Sequence, residues 1–163
     1  MPGLSERILE LLNKQLNAEL YSAYLYLSMA AYFEEKSLKG FASWMKKQAR
    51  EELEHAMKIF NYIVERGGRV SLEAIEKPLS EWESPLEAVR YALEHETKVT
   101  KSIDELFKAA REEGDHATEV FLHWFIREQV EEESQFSDLL AKLNMAGDDP
   151  AALIALDSAL SKR

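Results

Sequence analysis

The sequence predicts an all-α fold, a four-helix bundle closed by a short fifth helix. Three observations predict it. Apolar residues recur at steps of three and four through four long stretches, the spacing of one helical face. The six glycines and four prolines of the 163 residues gather at a few points between those stretches and punctuate them. No run of useful length alternates apolar with polar residues, so no strand is expected.

The elements follow in order. Helix α1 is predicted over residues 5–34, with Ser5 as N-cap and Glu6 in the first turn, where acidic groups favour the helix dipole. A short turn, Lys36-Ser37-Leu38-Lys39, leads into α2 over 38–66, which stops at Gly67-Gly68. Ser84-Pro85-Leu86-Glu87 opens α3 over 85–113, combining capping-box spacing with proline at the first helical position. Gly114 ends it and Asp115 caps α4, predicted over 115–145. Asp149-Pro150 starts α5, over 150–161, with Leu153, Leu156 and Leu160 on one side. The α1–α2 and α3–α4 turns are short, so each pair is an antiparallel hairpin. The connection over 67–83 exceeds the usual span of about 2–8 residues and is long enough to run the length of the bundle. It is therefore read as a crossover that makes α2 and α3 parallel. The whole chain, 1–163, reads as one domain.

Composition narrows the function. Thirty acidic against 20 basic residues leave a formal charge of −10, which argues against nucleic acid as a partner. The absence of cysteine removes disulfides, thiolate metal sites and iron–sulfur clusters. No apolar stretch is long enough for a membrane span, and the start Met1-Pro2-Gly3-Leu4-Ser5-Glu6-Arg7 has no apolar leader run, so a cytoplasmic protein is expected.

The core stripes carry the chemistry. They read Ile8, Leu12, Leu16, Glu19, Ala23, Tyr26, Ala30, Phe33 on α1 and Phe41, Met45, Gln48, Glu52, His55, Ile59, Tyr62 on α2. On α3 they read Leu86, Val89, Leu93, Glu96, Thr100, Ile103, Phe107, and on α4 Phe121, Phe125, Gln129, Glu132, Phe136, Leu139, Leu143. Each stripe is apolar except near its middle, where every helix carries a glutamate. Glu19 lies 33 positions before Glu52 and 36 before His55; Glu96 lies 33 before Gln129 and 36 before Glu132. At about 1.5 Å per residue these groups all fall at one level of the bundle.

Taken singly, each glutamate reads as a surface residue or a satisfied core polar. Four together do not. A buried charge costs several kcal/mol even after relaxation, against a total stability of about 5–15 kcal/mol. No lysine or arginine interrupts the stripes, so bound metal is the economical counter-charge. Carboxylates with one imidazole make a hard site that suits iron or manganese better than structural zinc. One carboxylate shared between two sides would make it a two-metal centre, of the kind built from inward glutamates and a Glu-x-x-His pair.

The runs Leu16-Asn17-Ala18-Glu19-Leu20-Tyr21-Ser22-Ala23-Tyr24-Leu25-Tyr26, Glu51-Glu52-Leu53-Glu54-His55 and Glu128-Gln129-Val130-Glu131-Glu132-Glu133 resemble the non-haem ferritins of bacteria and archaea. The resemblance spans essentially the whole chain and implies a ferritin-like bundle. It implies that Glu19, Glu52 and His55 hold one iron, that Glu52 bridges to a second held by Glu96 and Glu132, and that Gln129 sits beside it. It implies a third iron position at Glu51, Glu128, Glu131 and Glu132. Tyr26 and Trp124 match aromatics beside that centre, with core packing and electron supply as equal readings. Bacterioferritin-like chains carry a second Glu-x-x-His on α4 and a haem-ligating methionine after the bridging glutamate. Here Gln129-Val130-Glu131-Glu132 and Leu53 stand at those places, so no haem is expected. His95, His116 and His123 show no partner pattern and are expected to be solvated or interfacial.

The implied function is iron storage with ferroxidase activity: Fe²⁺ oxidised by dioxygen or peroxide and kept as mineral in a homo-oligomeric cage, typically of 24 subunits. The segment from Leu20 to Phe33 is apolar nearly all round, which fits a second, partner-facing surface; the α5 leucines are read similarly. Glu112, Glu113 and Asp115 line an iron entry route or are simply solvated. Two other readings remain open: a structural bundle with vestigial carboxylates, and a di-iron enzyme with another substrate and no storage.

Overall fold

The computed structural model describes residues 3–163; Met1 and Pro2, part of the start read above for a leader run, lie outside the described residues. Five helices follow one another: α1 Glu6–Glu35, α2 Lys39–Glu65, α3 Pro85–Glu112, α4 His116–Ala146 and α5 Pro150–Leu160. Among the described residues there is no strand.

The starts are set by side-chain caps. Ser5 accepts from the Ile8 amide at 3.2 Å, Ser84 from Glu87 at 3.1 Å, Asp115 from Thr118 at 3.1 Å and Asp149 from Ala151 at 3.0 Å. Each satisfies one of the orphan donors of a first turn. Helix α2 is different, because Leu38 at its N-cap has no capping side chain. Its Phe41 amide donates instead to Asp157 of α5, at 2.8 Å. The fifth helix thus supplies a cap across 116 positions of sequence.

Side-chain contacts give the directions. Between α1 and α3, Gln15 meets Ser102, Ser22 meets His95 and Tyr26 meets Glu96, so the numbers run oppositely. Between α2 and α4, Gln48 meets Glu132 and Tyr62 meets Thr118, again antiparallel. Helices α2 and α3 are therefore parallel, as the long connection requires. That connection is strapped along α1. Asn13 donates to the Arg69 carbonyl at 3.0 Å and accepts from the Ser71 amide at 2.8 Å. Asn17 repeats the pattern one turn on, with the Ser71 carbonyl at 3.0 Å and the Glu73 amide at 2.9 Å, and Ser28 reaches the Leu79 carbonyl at 2.6 Å.

The core is two apolar clusters. One gathers Leu25, Met29, Phe33, Phe41, Met45, Ala88, Ala92, Phe136 and Leu139; the other gathers Ile8, Leu12, Leu16, Ile59, Ile63, Ile103, Leu106, Leu122 and Phe125. The stripes need correction by about one position. On α3, Leu86, Leu93 and Phe107 are half-buried, while Ala88, Ala92, Val99 and Leu106 fill the centre. Likewise Ser22 displaces Ala23, Ile63 displaces Tyr62 and Leu122 displaces Phe121 as the most buried residue of its turn. On α3 the small Ala88 and Ala92 sit where helices approach, which moves Leu86 and Leu93 to the flank. The α5 leucines are a second correction: Leu153, Leu156 and Leu160 pack half-buried against the first cluster. The α1 face does stay open, with Tyr24 and Leu27 about half exposed.

Helix α5 packs over Gly40, where a Cβ would lie 1.7 Å from the Asp157 carbonyl oxygen and 2.6 Å from its carbon. Backbone cannot yield there as a flexible side chain would. Gly40→Ala is expected to cost about 1–3 kcal/mol by overpacking and to release α5. Thermal unfolding together with amide exchange over 150–160 checks this; unchanged protection of α5 would refute it.

Candidate metal centre

Between the two apolar clusters lies a polar layer. Glu19, Gln48, Glu52, His55, Glu96, Gln129 and Glu132 are all buried, and the four glutamates are no more than 1% exposed. Each comes from the middle of its helix, so rigid backbone places it. Two groups of ligand atoms form within this layer: Glu19, Glu52 and His55, and Glu52, Glu96 and Glu132, the atoms of each lying within 4.8 Å of one another. Glu52 belongs to both.

The hydrogen bonds leave the inner oxygens aimed at the centre. Glu19 takes one donor, Gln15 at 3.2 Å, while its Oε2 is buried without a hydrogen-bond partner. His55 Nδ1 lies 3.3 Å from Glu52 Oε2 and 3.9 Å from Glu19 Oε2. Glu96 accepts from the Tyr26 hydroxyl on one oxygen and from Gln129 at 3.1 Å on the other. Gln129 also reaches Thr100 at 3.1 Å, which fixes its amide. Gln48 donates to Glu132 and, at 3.4 Å, to Glu52. A buried, unpartnered carboxylate oxygen facing a histidine and three more carboxyls fits a hard cation, which would replace the missing donor.

Burial also governs protonation. It pushes Glu19 well above the ordinary carboxyl range, with the Glu52 charge adding to it. Glu52 is raised by burial and then by Glu96. Glu96 is pushed up to about 7 by burial, restrained by its bonds from Tyr26 and Gln129, and Glu132 to about 9 by burial and then by Glu96. Tyr26 is raised well above its ordinary value by burial and then by Glu96, so it remains a donor.

The third group suggested by the sequence is only partly assembled. Glu128 joins His55 and Glu132 in a further cluster of ligand atoms, its Oε1 3.9 Å from His55 Nε2. Glu51 turns to Arg163 at 3.1 Å, and Glu131 is exposed. Trp124 packs edge-on against His55, with ring centres 5.1 Å apart, and carries the Lys58 ammonium 4.3 Å above its ring. Tyr26 stacks on Phe136 while bonding Glu96, so packing and polar contact coexist. At the α3–α4 turn, Glu112 and Glu113 pair with Arg7, and Asp115 is held by Arg66 at 3.1 Å.

Two residues escaped the sequence reading. Gln15, polar and buried, was one step off the α1 stripe; its spacing of four before Glu19 was the available signal. His95 is the second: of the two expected settings, solvated or interfacial, the solvated one is corrected, because the ring is half-buried. It lies 2.8 Å from Ser22 Oγ and beside Tyr21 and Tyr26, and burial, with Lys98 nearby, lowers its pKa to about 4. His116 and His123 are exposed as expected.

Residues 9–146 match the ferritin-like domain family. The chain belongs to the ferritin family. A bacterial non-haem ferritin of Bacteroides fragilis is 42% identical over 160 residues, covering 98% of this chain and 99% of that one. Its counterpart in Staphylococcus aureus is 41% identical over 160 residues, covering 98% and 96%. An open-pore ferritin from the archaeon Archaeoglobus fulgidus superposes with a TM-score of 0.97 at 55% identity, covering 98% of this chain and 99% of that structure. An engineered closed form of the Archaeoglobus protein gives 0.97 at 56% identity, covering 98% of each chain. Ferritin membership supports iron storage and iron oxidation as the general class of function. No helix of the described residues is long and apolar enough to cross a membrane.

The raised carboxyls link stability to pH. Glu96 and Glu132 bind their protons more tightly folded than unfolded, where the ordinary value is 4.5. Their contribution to the metal-free fold is therefore fully present below about 4.5 and is lost as pH rises through about 7 and about 9. The unfolding temperature of metal-free protein should fall between pH 5 and 9, and saturating Zn²⁺ should oppose that fall because metal uptake expels the protons. A metal-free profile flat over this range would contradict the assigned shifts.

Proposed function

We propose that this ferritin oxidises Fe²⁺ at a paired site inside each subunit and stores the Fe³⁺ as mineral in a hollow homo-oligomeric cage. The observation that carries the reading is Glu52, the one carboxylate shared by both buried ligand groups. Glu19 and His55 complete one iron position, and Glu96 and Glu132 the other, with Gln129 held beside it. Iron bound as substrate supplies the electrons, and dioxygen or peroxide accepts them. The chain's own contribution is electrostatic and positional. Carboxylates favour the higher iron charge, and Glu52 sets the few-Å separation that two-metal chemistry needs. Burial holds protons on the carboxyls, and metal uptake displaces them. Gln15, Gln48 and Tyr26 orient the ligands from behind, the kind of support whose loss costs about 10–100-fold in affinity or activity. Tyr26, bonded to Glu96, and Trp124, packed on His55, are proposed as electron donors in addition to their packing. The exposed α1 face, with Tyr24 and Leu27, is the proposed subunit contact, and a 24-subunit cytoplasmic cage without haem is the assembly the family pattern supports.

Glu52→Ala and His55→Ala are expected to slow Fe²⁺ oxidation by at least about tenfold, since loss of a ligand exceeds loss of its support. The fold should survive, because both apolar clusters are untouched. Stopped-flow absorbance of ferric product checks this, and wild-type rates in both variants would refute the site.

Aerobic titration with Fe²⁺ distinguishes storage from the alternatives. A large excess of iron per chain in a scattering particle far larger than one subunit supports storage. About two per chain indicates a di-iron enzyme without storage, and little or none indicates a structural bundle.

A further inference from the structure

Arg163 lies beyond α5, yet its guanidinium reaches back to the metal layer. It donates to Glu51 Oε2 at 3.1 Å and to Gln48 Oε1 at 3.0 Å, and to the Trp44 carbonyl at 3.3 Å. It also lies over the Trp44 ring, 4.3 Å from the centre. Three polar contacts and an aromatic face hold one planar cation, and its side chain is only 18% exposed. That is a built seat for the guanidinium rather than a loose surface pair.

Two consequences follow. Arginine only donates, so Gln48 must offer Arg163 its oxygen and turn its NH₂ inward. There the amide meets Glu132 and Glu52, which accept. The second consequence concerns Glu51. Of the four carboxyls that the family resemblance assigns to a third iron position, Glu128 and Glu132 cluster with His55, Glu131 is exposed, and Glu51 is taken by Arg163. In the family pattern Glu51 is one ligand of the third ion, and here a tethered positive charge already holds it.

We propose that Arg163 is an internal competitor for the third metal position: it holds Glu51 as its own counter-ion and keeps metal binding confined to the paired site. This rests on the paired-site reading above. The guanidinium must leave Glu51 before a third ion can be held, so Arg163 opposes movement of iron from the pair toward Glu51.

The test titrates Zn²⁺, which does no redox chemistry, into metal-free assembled protein by calorimetry. Wild type should bind two ions per chain tightly and a third weakly. Arg163→Met keeps the apolar stem on Trp44 and removes the charge; the third ion should then bind about tenfold tighter, while the first two remain the tighter pair. Arg163→Lys should fall between. In a Glu51→Gln background, Arg163→Met should no longer strengthen the third ion. An unchanged or weaker third ion in Arg163→Met would overturn the proposal while two tight ions left the paired site standing. So would a gain that persists with Glu51→Gln, which would trace the effect to undocking of α5. Failure of wild type to bind two ions would overturn the paired site and this assignment together.

Discussion

Four carboxyls share one dry level of the bundle with no lysine or arginine inserted among them, and the rest of the molecule is arranged around that constraint. Mutual repulsion and lost hydration both act on Glu19, Glu52, Glu96 and Glu132. His55 offsets only part of this, for Glu19 and Glu96, so protons or metals must do the rest. Such a layer contributes nothing to folding by itself. Stability comes from the apolar clusters on either side, which are spatially separate and internally well packed. The price of the site is thus borne by two cores that do not contain it.

Register is what allows the layer to form at all. Equal spacing within the two hairpins brings each pair of ligands to a common depth, but a common depth is useful only if the hairpins are aligned with each other. The crossover does this. Asn13 and Asn17, four apart on one face of α1, each grip the passing backbone by a donor and an acceptor. Ser28 holds it further along. At the far end of the bundle, Arg66 ties α2 to the start of α4 through Asp115 and Thr118. At the opposite end, Asp157 caps α2 from α5. Long-range polar contacts thus sit at the ends and along one edge, leaving the interior to apolar packing and the metal layer.

Much of this was legible because helical periodicity and ligand spacing are local. The five helices, the parallel α2 and α3, and the meeting of Glu19, Glu52, His55, Glu96 and Glu132 all follow from counting along the chain. What counting does not contain is the rotation of a helix about its axis. A stripe drawn through Leu93 and Phe107 differs by one position from one through Ala92 and Leu106, and only the neighbouring helix decides between them. The same gap hid His95, whose surroundings are Ser22, Tyr21 and Tyr26, about 70 positions away. Arg163 and Glu51 are 112 positions apart. No local pattern signals that pair, because it depends on α5 folding back over Gly40.

The layer is asymmetric, and the asymmetry has chemical content. Glu19, Glu52 and His55 combine two carboxylates with an imidazole, whereas Glu52, Glu96 and Glu132 offer oxygen alone. An all-oxygen group gathers more negative charge and favours the harder, more highly charged ion, while imidazole moderates that preference on the other side. The second group is also the more heavily braced, with Tyr26 and Gln129 on Glu96 and Gln48 on Glu132, against Gln15 alone on Glu19. Glu19 keeps a free oxygen. A braced ligand holds its geometry through a change of ionic charge, and a less braced one can swing to accommodate it.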